Sequence, residues 1–72
     1  MGKMSEQDFL TLAARVFGVS PSTISPATRR GDIPEWDSVN HLRLVMAAEE
    51  AFGVAYTLEE IPSLATLGDF IR

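Results

Sequence analysis

The placement of proline and glycine limits where this chain of 72 residues can form long helices. Three of its four prolines fall between residues 18 and 36, where they interrupt helical hydrogen bonding. Gly18 and Gly53 each follow a helix-like stretch, and glycine readily adopts the left-handed conformation that ends a helix. The sequence therefore predicts one helix over about residues 5–17, a second over about residues 38–52, and a long loop between them.

The first predicted helix has one apolar face. Its apolar side chains recur every three or four residues, which places them on one side of a helix: Phe9, Leu12, Ala13, Val16 and Phe17. Ser5, followed by Asp8 three residues later, resembles a capping box that starts this helix. Residues 1–4 precede the cap, and we expect them to be disordered.

The long first loop needs anchors, because an irregular connection of this length is uncommon in a small domain. The candidates are its apolar residues Val19, Ile24, Ile33 and Trp36. A short helical turn is also predicted near Pro21–Ile24. We therefore expect these side chains to pin the loop onto the helices.

Two further cap signals follow the second predicted helix. Residues 57–60 have the sequence Thr-Leu-Glu-Glu, a second capping box, and Pro62 limits the helix that it opens to little more than one turn. Thr66 caps a last predicted helix, whose apolar side comprises Leu67, Phe70 and Ile71. The predicted fold is all-α: a small four-helix bundle of three principal helices plus one short helix, in a single domain over residues 1–72.

Composition excludes several classes of site and partner. Without cysteine the chain can form neither a disulfide framework nor a cysteine zinc site, and its one histidine excludes sites with two histidine ligands. A net charge of −4 argues against a nucleic-acid surface and favours partners with basic patches. The longest apolar runs are too short to cross a bilayer, and no secretory signal pattern opens the chain. We therefore expect a cytoplasmic monomer that neither binds nucleic acid nor inserts into membranes.

The second predicted helix is apolar on two sides. One broad stripe must face the first helix and comprises Leu44, Val45, Ala48 and Phe52. The other stripe comprises Val39, Leu42 and Met46. We expect Leu42 to contact the short third helix and the long loop. Val39 and Met46 are candidates for a partly exposed docking strip, although a methionine at helical spacing is more often core.

Ser38 stands at the start of the second predicted helix. If Asp37 is the N-cap, Ser38 is the first helical residue, and its free hydroxyl lies near a helix N-terminus that favours an attached phosphate. The alternative is that Ser38 itself is the N-cap, which is the usual role of an isolated serine at a helix start.

His41 lies one turn after Ser38, a spacing that suggests a catalytic pair. The chain lacks the Gly-x-Ser-x-Gly motif that exposes a nucleophilic serine, and a helical domain of this size has little room for a closed pocket. The sequence therefore argues against an enzyme. We expect His41 to pack beside Trp36, whose large ring anchors the loop.

The second helix opens with Asp37-Ser38-Val39 and continues with apolar and acidic residues at helical spacing: Leu42, Leu44, Val45, Met46, Glu49, Glu50 and Phe52. This pattern resembles the acyl carrier protein family, in which an Asp-Ser-Leu motif opens the second helix. The similarity extends through residues 57–61 and 66–69, and in layout it covers about residues 5–72. For Ser38, the resemblance favours a modification site over an N-cap.

The resemblance implies that Ser38 carries 4′-phosphopantetheine, transferred from coenzyme A by a phosphopantetheinyl transferase that uses Mg²⁺. The thiol of this arm would hold an acyl group as a thioester for acyl-loading and acyl-processing enzymes of fatty acid, polyketide or other specialised biosynthesis. Asp37 would cap the helix and contact the transferase or its metal. The residues expected to bind partners are Val39, Leu42, Met46, Glu49, Glu50 and Ile61.

Some residues depart from the family pattern. Val39 replaces the usual leucine, and Asn40 and Arg43 stand where many fatty-acid carriers have acidic residues. This weaker acidic face favours a specialised pathway over housekeeping fatty-acid synthesis. The alternatives are a peptidyl or aminoacyl carrier protein and an unmodified helical protein-interaction module.

Overall fold

The computed structural model describes residues 4–71, which form two α-helices and four short 3₁₀ turns. Helix α1 spans Glu6–Phe17 and helix α2 spans Ser38–Phe52. The 3₁₀ turns span Pro21–Thr23, Arg30–Asp32, Ile61–Ser63 and Leu67–Phe70. Within residues 4–71 no strand forms, and Arg29 and Thr66 make one isolated β-bridge. The predicted all-α class is confirmed.

The predicted limits of both long helices are confirmed by their caps. The Ser5 hydroxyl accepts a hydrogen bond of 3.0 Å from the Asp8 N–H, which is the expected N-cap of α1. At the other ends, Gly18 and Gly53 have φ of 73° and 67°, a conformation that is strained for residues with a Cβ. Each glycine N–H bonds back into its helix, so both helices end where the sequence predicted.

The structure differs from the predicted bundle in its last third. The two later helices are 3₁₀ turns of three and four residues, Ile61–Ser63 and Leu67–Phe70. Thr66 caps the last turn as predicted, and it exchanges hydrogen bonds with Asp69. Thr57 and Glu60 also exchange hydrogen bonds, but these close a turn at residues 57–60, and the 61–63 turn has no side-chain cap. Pro62 has no N–H to continue helical hydrogen bonding, so the turn at 61–63 stays short. In the last turn, the N–H groups of Leu67 and Gly68 donate to the long loop. The described chain therefore contains two principal helices rather than three.

The last turn is hydrogen-bonded to the long loop. The Leu67 N–H donates to the Thr28 carbonyl at 3.0 Å, and the Gly68 N–H donates to the Pro26 carbonyl at 2.8 Å. Hydrogen bonds from the Thr66 and Ala65 N–H groups hold the pKa of the Asp69 carboxyl below its ordinary value. This bonding therefore stabilises the turn at neutral pH and is lost only as the pH falls through that lowered pKa.

Helix α1 packs against α2, and aromatic rings fill the space that the short turns enclose. Phe70 lies at the centre of the rings, with its centroid 5.3 Å from that of Phe9 and 5.7 Å from that of Tyr56. Trp36 stacks on Phe17 at 5.6 Å and thereby joins the loop to α1. The predicted loop anchors are confirmed: Ile24 and Trp36 are buried, and Val19 and Ile33 pack against the core.

Met4 is buried in this core, so the disorder predicted for residues 1–4 does not extend to Met4. Its flexible side chain adds apolar contact area beside the first turn of α1. Residues 1–3 lie outside the described part of the chain.

Gly68 offers a test of the contact between the last turn and the loop. A Cβ at this position would lie 3.1 Å from the Pro26 carbonyl oxygen, which already accepts the Gly68 N–H. We expect Gly68→Ala to lower the free energy of unfolding by about 1 kcal/mol, because the carbonyl must shift. The matched control is Gly31→Ala, where a Cβ would meet nothing within 4 Å. Urea denaturation of both variants is the measurement, and equal stabilities would contradict this account.

Candidate functional site

Ser38 is the first residue of α2, and it is exposed. The Asp37 carboxylate accepts a hydrogen bond of 2.9 Å from the Asn40 N–H, and the Asp37 carbonyl accepts one of 2.8 Å from the His41 N–H. Asp37 is therefore the N-cap, and the alternative in which Ser38 caps the helix is wrong. The Ser38 hydroxyl makes no hydrogen bond with any residue in the range 4–71, which leaves it available for chemistry.

The backbone on both sides of Ser38 is held in place. Before Ser38, the Trp36 side chain is buried, and the Trp36 backbone N–H donates to the Ile33 carbonyl at 3.3 Å. After it, the Asn40 side-chain amide reaches back and donates to the Glu35 carbonyl at 2.8 Å. The flexible hydroxymethyl group of Ser38 therefore projects from a junction whose backbone is fixed.

His41 joins this junction to the turn that begins at Ile61. The Trp36 indole N–H donates to His41 Nδ1 at 2.9 Å, and His41 Nε2 lies 2.7 Å from the Ile61 carbonyl oxygen. An indole N–H can only donate and a carbonyl can only accept, so the imidazole is neutral with its proton on Nε2. The predicted packing of His41 beside Trp36 is confirmed. Both ring nitrogens are occupied, and with 3% of its surface exposed His41 is not available as a base for Ser38.

The outer face of α2 carries an exposed apolar row, here called the α2 strip, which comprises Val39, Leu42 and Met46. Their exposed fractions are 64%, 53% and 64%. Leu42 was expected to contact the third helix and the long loop, but it is exposed and belongs to this row instead. The other stripe behaves as predicted: Leu44, Val45 and Ala48 are buried, and Phe52 packs against the core.

The charged residues of α2 have different surroundings. Arg43 is exposed and forms no ion pair with the residues that the structure describes. Glu50 is also exposed, whereas the half-buried Glu49 carboxylate accepts the Tyr56 N–H at 3.0 Å. Glu49, predicted to bind partners, thus also ties α2 to the segment that follows it. Ile61, also predicted to bind partners, is half-buried against the core.

Two features of this surface were not predicted from the sequence. The Asn40 side chain bonds to the loop before Ser38. Its position three residues after the N-cap could have indicated this contact, because a side chain there can reach the preceding loop. Leu58, inside the second capping box, is the most exposed large apolar residue among residues 4–71, at 84%. The exposure of Leu58 could have been expected from its position just after the cap residue Thr57, where side chains point outward.

The described residues hold no cluster of three or more His, Asp or Glu side chains that could bind a metal ion. None of their helices is both long and apolar enough to cross a membrane. The site therefore consists of one exposed hydroxyl at a braced helix start and an apolar strip that begins beside it.

Comparison with known proteins identifies one informative relative. No protein-family model matches the chain. An acyl carrier protein from Acidothermus cellulolyticus is 32% identical over 72 residues, a match that covers 94% of this chain and 86% of the relative.

The geometry of the cap separates the roles of two adjacent residues. Asp37→Ala removes the acceptor for the Asn40 N–H, and we expect it to lower the free energy of unfolding by about 1 kcal/mol. Ser38→Ala removes a hydroxyl without a partner, so the change should stay below about 0.5 kcal/mol. Urea denaturation of the two variants checks this order. A larger loss for Ser38→Ala would return the capping role to Ser38.

Proposed function

Because the chain belongs to the acyl carrier protein family, we propose that it carries acyl groups as thioesters on a 4′-phosphopantetheine arm attached to Ser38. The family consists of non-catalytic carriers, so the chain is not an enzyme. One observation carries the choice of site: Ser38 combines an exposed, unbonded hydroxyl with a fixed backbone at a helix start. A post-translational modification needs both properties, because the modifying enzyme must reach the hydroxyl and the product must be held in a defined place.

The residues around Ser38 fit a phosphopantetheine arm. Helix α2 is 15 residues long, and the partial positive charge of its N-terminus favours a phosphodiester on Ser38. Asp37 uses one carboxylate oxygen for the Asn40 N–H, which leaves the other to face a transferase or its metal. When bound, the arm supplies a thiol on which an acyl group is held as a thioester. The protein itself fixes the position of the arm and presents it to solvent.

We propose that the α2 strip is where partner enzymes dock, with Glu49, Glu50 and Ile61 at its border. Its three apolar side chains lie on the same helix as Ser38, so an enzyme bound there has the arm within reach. The partners in this proposal are a phosphopantetheinyl transferase and the enzymes that load and process the acyl group.

The proposed carrier serves a specialised biosynthetic pathway rather than housekeeping fatty-acid synthesis, because the outer face of α2 combines Arg43 with few acidic groups. A strongly acidic carrier is steered by long-range attraction to basic partners, and this chain must depend more on apolar contact. We place the carrier in the cytoplasm as a monomer.

Intact mass spectrometry tests the modification directly. The protein is incubated with coenzyme A, Mg²⁺ and a broad-specificity phosphopantetheinyl transferase. We expect a gain of one phosphopantetheinyl group, which is absent in Ser38→Ala because the acceptor hydroxyl is missing. Ser22→Ala removes another exposed serine hydroxyl and should be modified like the wild type.

No gain by a folded wild-type chain, with a transferase that modifies a second carrier in the same tube, would favour an unmodified helical protein-interaction module. A gain that persists in Ser38→Ala would place the arm elsewhere. Where the gain depends on Ser38, aminoacyl and acyl thioesters are then offered separately to distinguish a peptidyl carrier from an acyl carrier.

The α2 strip predicts the effect of a charge at Met46. Met46→Glu should unfold at nearly the wild-type urea concentration, because this side chain is 64% exposed. The initial rate of modification by the transferase should fall several-fold, because docking would bury an unpaired carboxylate. Thr11→Glu adds the same charge to the exposed side of α1 and serves as the control. Equal rates for the two variants would remove Met46 from the docking surface.

A further inference from the structure

An acyl group attached through Ser38 has two apolar environments near it. It can enter the interior between α2 and the 61–63 turn, or it can stay outside near the α2 strip. His41 lies one helical turn after Ser38, and whereas Ser38 is exposed, the His41 ring is buried in the interior. The arrangement of His41 therefore decides whether the inner route is open.

The inner route is closed by two hydrogen bonds that meet on one ring, here called the His41 latch. The Trp36 indole bonds to one nitrogen at 2.9 Å and the Ile61 carbonyl to the other at 2.7 Å. An alkyl chain that passes between α2 and the turn must separate His41 from Ile61. An alkyl chain offers no replacement hydrogen bond, so the carbonyl of half-buried Ile61 and the buried imidazole of His41 would lose their partners.

The space behind the latch is filled by rings in contact. The Phe70 ring centroid lies 5.7 Å from that of His41 and 6.2 Å from that of Trp36. A further buried bond of 2.7 Å runs from the Tyr56 hydroxyl to the Phe70 carbonyl and holds this centre against the chain after α2. Close-packed rings fixed by hydrogen bonds resist the displacement that an entering chain would require.

We propose that the His41 latch keeps the cargo outside the helices, and that this carrier therefore serves short or polar acyl groups that are stable in water. The proposal rests on the carrier function assigned to Ser38 and names its cargo class. Trp36 and His41 act as specificity-determining residues, because their hydrogen bonds close the route between α2 and the 61–63 turn. A long alkyl chain on this protein remains exposed or lies along the α2 strip.

The chain supplies its own probe of the latch, because Trp36 is its one tryptophan. A broad-specificity transferase loads the wild type from acetyl-, butyryl- and octanoyl-coenzyme A, and intact mass confirms each product. The Trp36 indole N–H signal is then followed in the ¹H–¹⁵N NMR spectrum, together with Tm. We expect the same indole shift and the same Tm for all three forms. An octanoyl form with a displaced indole signal and a raised Tm overturns the proposal.

His41→Ala opens the inner route, since it removes both hydrogen bonds and the ring. Octanoyl loading should then raise Tm relative to acetyl loading in this variant, although it does not in the wild type. A folded variant that shows no such difference would overturn the role of His41. If the variant does not fold, the wild-type series decides alone. Failure of the wild type to gain mass overturns the carrier function and this proposal with it, whereas loading with a displaced indole signal overturns this proposal only.

Discussion

The hydrogen bonds of the His41 ring hold together parts of the chain that no long helix connects. Through them α2 is joined to the end of the first loop at Trp36 and to the turn that begins at Ile61. With only two principal helices in the described chain, apolar packing alone gives these segments little directional restraint. A buried polar group that is fully paired supplies such restraint, because any other arrangement leaves a donor or acceptor without a partner. The aromatic centre around Phe70 is positioned by the same restraint.

The start of α2 separates two requirements that usually compete. A residue that is firmly held is normally one whose polar atoms are already bonded, and a reactive hydroxyl must be unbonded. Here Asp37 satisfies the helix end and Asn40 ties the helix to the preceding loop, so Ser38 needs no bond of its own. The neighbours thus supply order while the serine stays accessible, which is the arrangement expected of a carrier of the acyl carrier protein family.

Local signals in the sequence predicted the local structure well. Gly18, Gly53, Ser5 and Asp37 gave the limits of both helices, because caps depend on residues only a few positions apart. The contacts between distant segments were less accessible. Nothing near Leu42 in the sequence indicates that its side chain stays exposed, and nothing near Met4 indicates that it is buried. The hydrogen bonds at Thr57 and Thr66 were predicted correctly, but not the short 3₁₀ turns found there, since such a signal does not specify how many residues continue.

The bonds from Leu67 and Gly68 to Thr28 and Pro26 also affect how the chain folds. Helix α1 and helix α2 can form from neighbouring residues, but these two bonds close a long loop and must overcome its entropy. During synthesis, the loop that leads to Ser38 cannot be secured until residues 67–68 have left the ribosome. Ser38, at the end of that loop, thus reaches its final setting only after the segment at residues 67–68 has been made and released.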